Sequence, residues 1–120
     1  MTQATTTMNS QAIPQALTEI ALDQDGHLSN YLDWTPEVAQ LIAQQDGLVL
    51  GDEHLAVLYA IQKFYQQFGY APATRPLIKF LIKELGASIS NAQLMQDFQT
   101  GLVARTLARL AGLPKPANCL

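Results

Sequence analysis

The sequence predicts an α+β domain, a small N-terminal β-hairpin or meander packed on an array of about five helices, with a flexible C-terminal arm. Three observations carry this expectation. Residues 17–22 (LTEIAL) alternate loosely and run into Asp23-Gln24-Asp25-Gly26, a glycine after polar turn formers with apolar residues on either side, which is a hairpin signal. From Thr35 onward, apolar residues recur at helical spacing between residues that start and stop helices. The last stretch, LPKPANCL, holds two prolines and no apolar cluster, so it can neither continue a helix nor bury itself locally.

The elements follow in order. Residues 1–16 have no basic residue and no apolar run, which argues against a secretory signal and predicts a disordered leader. The returning hairpin strand is expected at about residues 27–32. Thr35-Pro36-Glu37 opens a helix, with Thr suited to the N-cap, Pro to the first turn and Glu to the positive end of the dipole. Val38, Leu41 and Ile42 form its apolar face, and Asp46-Gly47 ends it. Leu48-Val49-Leu50 reads as a short apolar linker. Asp52 is expected to cap a helix over residues 53–68, apolar almost all round and therefore central. Thr74 is expected to cap a further helix ending at Gly86. Ser90 or Asn91 starts a short helix to about Phe98, and the last helix covers 101–111 and stops at Gly112. The domain is thus placed at 17–111 and a mobile arm at 112–120.

The chain has 120 residues, the size of one domain able to bury a single core without a metal or disulfide staple. No apolar run reaches the roughly 18 residues that cross a bilayer. One cysteine cannot close an internal disulfide, which fits a reducing compartment, the cytoplasm. The net charge of −3 is unevenly placed: residues 1–62 hold eight acidic residues and no Lys or Arg, giving −8, while 63–120 carry +5. Such a dipole can steer a protein partner; the plain alternative is solvated surface without a role. It argues against direct nucleic-acid binding, which favours a strongly basic domain.

Most site chemistries find no support. His27 and His54 are distant in sequence with no cysteine nearby, so a metal centre is not expected, and no cofactor is implied. There is no glycine-rich phosphate loop and no nucleophile elbow. The carboxylates of the first half read as surface and helix caps. Cys119 differs from all of these. Free cysteine tends to be buried, and an exposed one is an oxidation liability, so placing the only cysteine on an arm suggests use. The thiolate is the nucleophile, and an ordinary thiol with a pKa of about 8.5 is only slightly ionised at neutral pH. The neighbouring terminal carboxylate is expected to disfavour ionisation further, leaving activation to a partner's pocket or to Arg105, Arg109 or Lys115. Arg105 and Arg109 lie four apart on one face of the last helix. They read either as cations that favour a helix C-terminus or as a docking patch and thiolate support. From Gly112 to Cys119 is seven residue steps, so an extended arm reaches up to roughly 23 Å.

The tail also resembles a known family. Gly112-Leu113-Pro114-Lys115-Pro116 with the penultimate Cys119 resembles the C-terminal signature of the DsrC/TusE family. Further matches in order are Asp25-Gly26 with Leu28, Trp34, the segment 47–50 before Glu53-His54, Lys63-Phe64-Tyr65, and Pro72 with Arg75. The resemblance covers about residues 18–120. Family members that serve dissimilatory sulfite reductase have a second cysteine eleven residues before the last; here that position is Ala108, which removes sulfur bridging within the chain. The pattern resembles the single-cysteine, TusE-like members. That resemblance implies a sulfur carrier, a sulfurtransferase rather than a stand-alone enzyme, which accepts persulfide sulfur on Cys119 from a TusBCD-like donor complex. It would pass the sulfur to a tRNA thiouridylase making 2-thiouridine at the wobble position. The alternatives are an accessory, gamma-type partner of dissimilatory sulfite reductase, or a binding module that moves no sulfur. Leu55 departs from the family, where Trp is frequent, and reads as a packing change.

Overall fold

The computed structural model describes residues 21–116. Among them are five α-helices and no β-strand, so the α+β expectation is corrected to a helical fold. The expected turn exists: Asp23 Oδ1 accepts from the amides of Asp25 and His27, each at 2.9 Å. The hairpin does not, because pairing stops at one isolated bridge between Leu22 and Leu28. The reason lies in the next residues. The Asn30 side chain accepts from the Leu32 amide and winds Tyr31–Asp33 into a 3₁₀ turn, which takes the chain out of the extended conformation. Residues 17–20 of the expected first strand, and the leader at 1–16, lie outside the described residues. The linker at 48–50 forms no strand either. There the Gln40 amide group pairs with both the N–H (3.1 Å) and the C=O (2.8 Å) of Leu50, so one side chain satisfies the backbone that a neighbouring strand would have paired.

Helix α1, Pro36–Gln45, starts as expected, with Thr35 Oγ1 accepting from the Val38 amide at 3.1 Å. Its buried face is Val38, Ala39, Ile42 and Ala43; Leu41, expected on that face, is only half-buried. Helix α2, Asp52–Phe68, is capped by Gly51, not Asp52. Helix α3, Thr74–Leu85, likewise has Ala73 as its cap, with Thr74 already inside the first turn. Helix α4, Asn91–Asp97, is capped by Ser90, whose Oγ accepts from Gln93 at 3.1 Å. Helix α5, Val103–Leu110, is shorter than expected.

The centre of the array is α5 rather than α2. All four other helices pack against α5, while α2 packs on α3 and α5. Eight residues suffice because Val103, Ala104, Leu107, Ala108 and Leu110 are all buried, and the alanines admit close neighbours. Burying a leucine such as Leu107, which is 0% exposed, contributes about 1.5–3 kcal/mol. Among the described residues no helix is long and apolar enough to cross a membrane.

Candidate functional site: the root of the C-terminal arm

The sulfur-bearing candidate, Cys119, lies outside the described residues. The segment that leads to it does not. Helix α5 ends in a full Schellman arrangement. Gly112 has φ +77°, the Leu113 amide donates to Ala108 O at 2.9 Å, and the Gly112 amide donates to Arg109 O at 3.2 Å. These bonds satisfy carbonyls that a helix C-terminus otherwise leaves unpaired. Leu113 follows with its side chain 0% exposed. Only glycine fits at 112. Besides the positive φ, a Cβ there would stand 2.6 Å from Trp34 Cδ1.

Side chains from elsewhere in the chain close over the same end. Trp34 Nε1–H donates to Leu110 O at 2.8 Å. Gln62 Nε2–H, from α2, donates to Ala111 O. His27 Nδ1–H donates to Leu113 O at 2.8 Å, which assigns the Nδ1–H tautomer to a fully buried ring. Its Nε2 is buried with no hydrogen-bond partner among the described residues. Trp34 is itself held edge-on by Tyr59, ring centroids 5.6 Å apart. Beyond Leu113, Pro114 and Lys115 are exposed and Pro116 is buried.

The basic residues expected near the thiol are distributed differently. Arg109 Nη1 pairs with Asp46 Oδ2 at 2.6 Å and Nη2 donates to Gln45 Oε1 at 3.0 Å, tying α5 to the end of α1. Its guanidinium also underlies Gly26, where a Cβ would meet Nε at 3.2 Å. Arg105 Nη2 stands 4.0 Å from Asp25 Oδ1. Both arginines thus lean on the acidic first half, so part of the sequence-level charge dipole is closed inside the fold. Lys115 faces solvent on the arm itself. No three His, Cys, Asp or Glu side chains converge among the described residues.

Sequence reasoning missed His27, Trp34 and Gln62 as partners of the arm. The partners of these side chains are main-chain carbonyls 49 to 86 residues away, and carbonyls carry no residue-type signal.

Comparison with known proteins bears on the same region. The family model "DsrC like protein" matches residues 15–120, a span that includes Cys119. The chain is 38% identical over 102 residues to a Haemophilus influenzae protein named sulfurtransferase TusE homolog, covering 85% of this chain and 94% of that one. It is 36% identical over 104 residues to a Sodalis glossinidius sulfurtransferase TusE. Among solved structures, Allochromatium vinosum DsrC matches with a TM-score of 0.75 at 39% identity, covering 84% of this chain and 90% of that one. The oxidized gamma-subunit of dissimilatory sulfite reductase, DsrC, from Archaeoglobus fulgidus matches at TM-score 0.71 and 28% identity, covering 84% and 92%. With its signature tail and this agreement over most of its length, the chain belongs to the DsrC-like family.

Proposed function

We propose that this protein is a cytoplasmic sulfur carrier that takes sulfane sulfur onto Cys119 and gives it to a tRNA thiouridylase for 2-thiouridine synthesis. The observation that carries the reading is the penultimate Cys119 behind Gly112–Pro116, in a chain similar over most of its length to proteins named sulfurtransferase TusE. In the uptake step the Cys119 thiolate attacks the outer sulfur of a donor persulfide. The donor S–S bond breaks, the donor sulfur leaves as a thiolate, and Cys119–S–SH forms with no net oxidation. In the release step an acceptor thiolate takes the outer sulfur and Cys119 returns as thiolate. The donor is a TusBCD-like complex, and the tRNA is met through the thiouridylase.

Residues 17–111 form the body and 112–120 the arm in this reading. Arg105, Arg109 and Lys115 are candidates for docking, Lys115 the most available of them because it is exposed and lies on the arm. The likeness to DsrC structures supports a second reading, an accessory role beside a sulfite reductase. Ala108 weighs against it: the side chain is 1% exposed inside α5, and a methyl group there offers no second thiol.

The test is mass spectrometry of the protein after incubation with a persulfide donor. A gain of one sulfur on the peptide containing Cys119 is expected, and Cys119→Ser should abolish tRNA thiolation in a reconstituted relay. Equal thiolation by wild type and Cys119→Ser would sink the carrier reading and leave a binding module.

A further inference from the structure

The basic excess of residues 63–120 is not spread evenly over the surface. Lys63, Arg105 and Arg109 stand against Glu84, Asp25 and Asp46. Arg75, Lys79 and Lys83 meet no carboxylate among the described residues, and all three are exposed. They fall four residues apart on α3 and so form one row, with successive members roughly 6 Å apart along the helix axis. The end of α3 where the row starts is positive as well. Its first turn has no acidic residue and no side-chain cap, so the dipole is not neutralised there. Helix α3 is thus a basic face on a chain whose net charge is −3.

Beside this row lies an open groove of about 650 Å³. It is lined by Arg75 and Lys79 together with Pro76, Ile78, Ile82 and Asn91, the first residue of α4, and most of its lining is apolar. Ile78 is half-buried and Ile82 is 39% exposed. These two isoleucines are four apart on the helix, so the apolar pair runs alongside the cations. The α3 row is therefore open to a partner, while Arg105 and Arg109 are engaged inside the fold.

We infer that this face of α3 is a docking surface for an acidic amphipathic helix of a protein partner, with its carboxylates on Arg75, Lys79 and Lys83 and its apolar residues in the groove. Charge complementarity requires anions in a row, and Glu residues four apart on a helix repeat the same step of about 6 Å. The apolar lining requires aliphatic groups, which a nucleic-acid backbone does not supply: phosphates are held by hydrogen-bond donors, and a polyanion favours a strongly basic domain. A helix offers no backbone edge to an extended strand, whereas a helix laid in a groove uses apolar anchors for affinity and flanking charges for orientation. Docking here requires no sulfur on Cys119, so binding alone tests it.

The test follows the backbone amide signals of the isotope-labelled full chain by NMR as a synthetic helical peptide of about 16 residues is added. The peptide carries a row of Glu at four-residue spacing beside a row of Leu. The largest shifts are expected in α3 and at Asn91. Replacing Glu by Gln in the peptide should weaken binding about tenfold. Combined Arg75→Glu, Lys79→Glu and Lys83→Glu, all at exposed positions, should weaken the Glu peptide by more than about tenfold and make a Lys version of the peptide bind at the same amides. Ile82→Ser leaves the charges in place and should lose about threefold, and unchanged affinity there overturns the groove. Absence of binding, shifts centred elsewhere, equal binding of the Gln peptide, or failure of the Lys peptide to replace the Glu peptide each overturns the inference. Tighter binding of a single-stranded RNA oligonucleotide at the same amides overturns it in favour of nucleic acid. Shifts of those amides with the concentration of the protein alone overturn it in favour of a second copy of the chain.

Discussion

The two histidines make two joints of the same kind with different completeness. His54, in the first turn of α2, accepts at Nδ1 from the Gly51 amide at 3.0 Å and donates from Nε2 to Asp97 O at 2.8 Å. It stands edge-on to Phe98 at 4.8 Å. Both nitrogens are paired, and the joint welds the start of α2 to the end of α4. His27 uses one nitrogen, on Leu113 O, and leaves Nε2 buried and unpartnered among the described residues. An unpaired buried polar atom costs about 1–3 kcal/mol. The fold carries that cost at the root of the arm and nowhere else among its described side chains. The contrast separates a joint paired at both nitrogens from one that leaves a buried nitrogen bare where α5 ends.

Substitutions can break or sharpen this contrast. The largest effect is expected at the arm root. Gly112→Ala forces a positive φ on a residue with a Cβ and drives that Cβ into Trp34, for a loss of about 3 kcal/mol. Gly47→Ala has a similar φ, +73°, but nothing within 4 Å, so about 1 kcal/mol is expected. Urea unfolding of the two variants measures the difference, and equal losses would mean that Trp34 does not press on Gly112. Next come the histidines. His27→Ala removes a fully buried ring and strands Leu113 O, for about 3 kcal/mol. His54→Ala frees groups that solvent can reach, for about 1.5 kcal/mol. Thermal unfolding should rank them in that order, and the reverse order would make His54 the more important joint. The smallest effects are at the ion pairs. Arg109→Met should cost about 0.5–1 kcal/mol, since its side chain is 20% exposed but Asp46 is 54% exposed. Lys63→Met, which loses a pair with a 60%-exposed lysine, should cost less than about 0.5 kcal/mol. Both differences should shrink in high salt, and persistence of the Arg109 effect there would assign it to packing under Gly26.

Much of the helical order was legible because helix signals are local. Thr35-Pro36-Glu37 and Ser90 cap where expected. Gly86 and the residues around Gly112 also stop helices on schedule. Asp52 and Thr74 are not the caps because each already lies in the first turn, and Gly51 and Ala73 stand at the cap positions with no side-chain hydrogen bond. The hairpin failed for a different reason. Its turn chemistry is real, but Asn30 redirects the chain after one pair, a competition that alternation of apolar residues does not reveal. Of the site, Cys119 and the signature tail were visible as residue types. The donors from His27, Trp34 and Gln62 were not, because their acceptors are backbone carbonyls brought near by the tertiary fold.

The tie between His27 and Leu113 also carries a consequence for assembly. It joins positions 86 residues apart, and contacts that close so long a loop carry a large entropic penalty and form late. Local helices can form early and α5 can find its neighbours, but the last segment settles only onto a finished surface. In a half-folded chain the backbone at Leu113 would therefore lie unanchored, and the end of α5 takes its final seat only when the two distant ends of the sequence have met, a check on assembly written into one hydrogen bond.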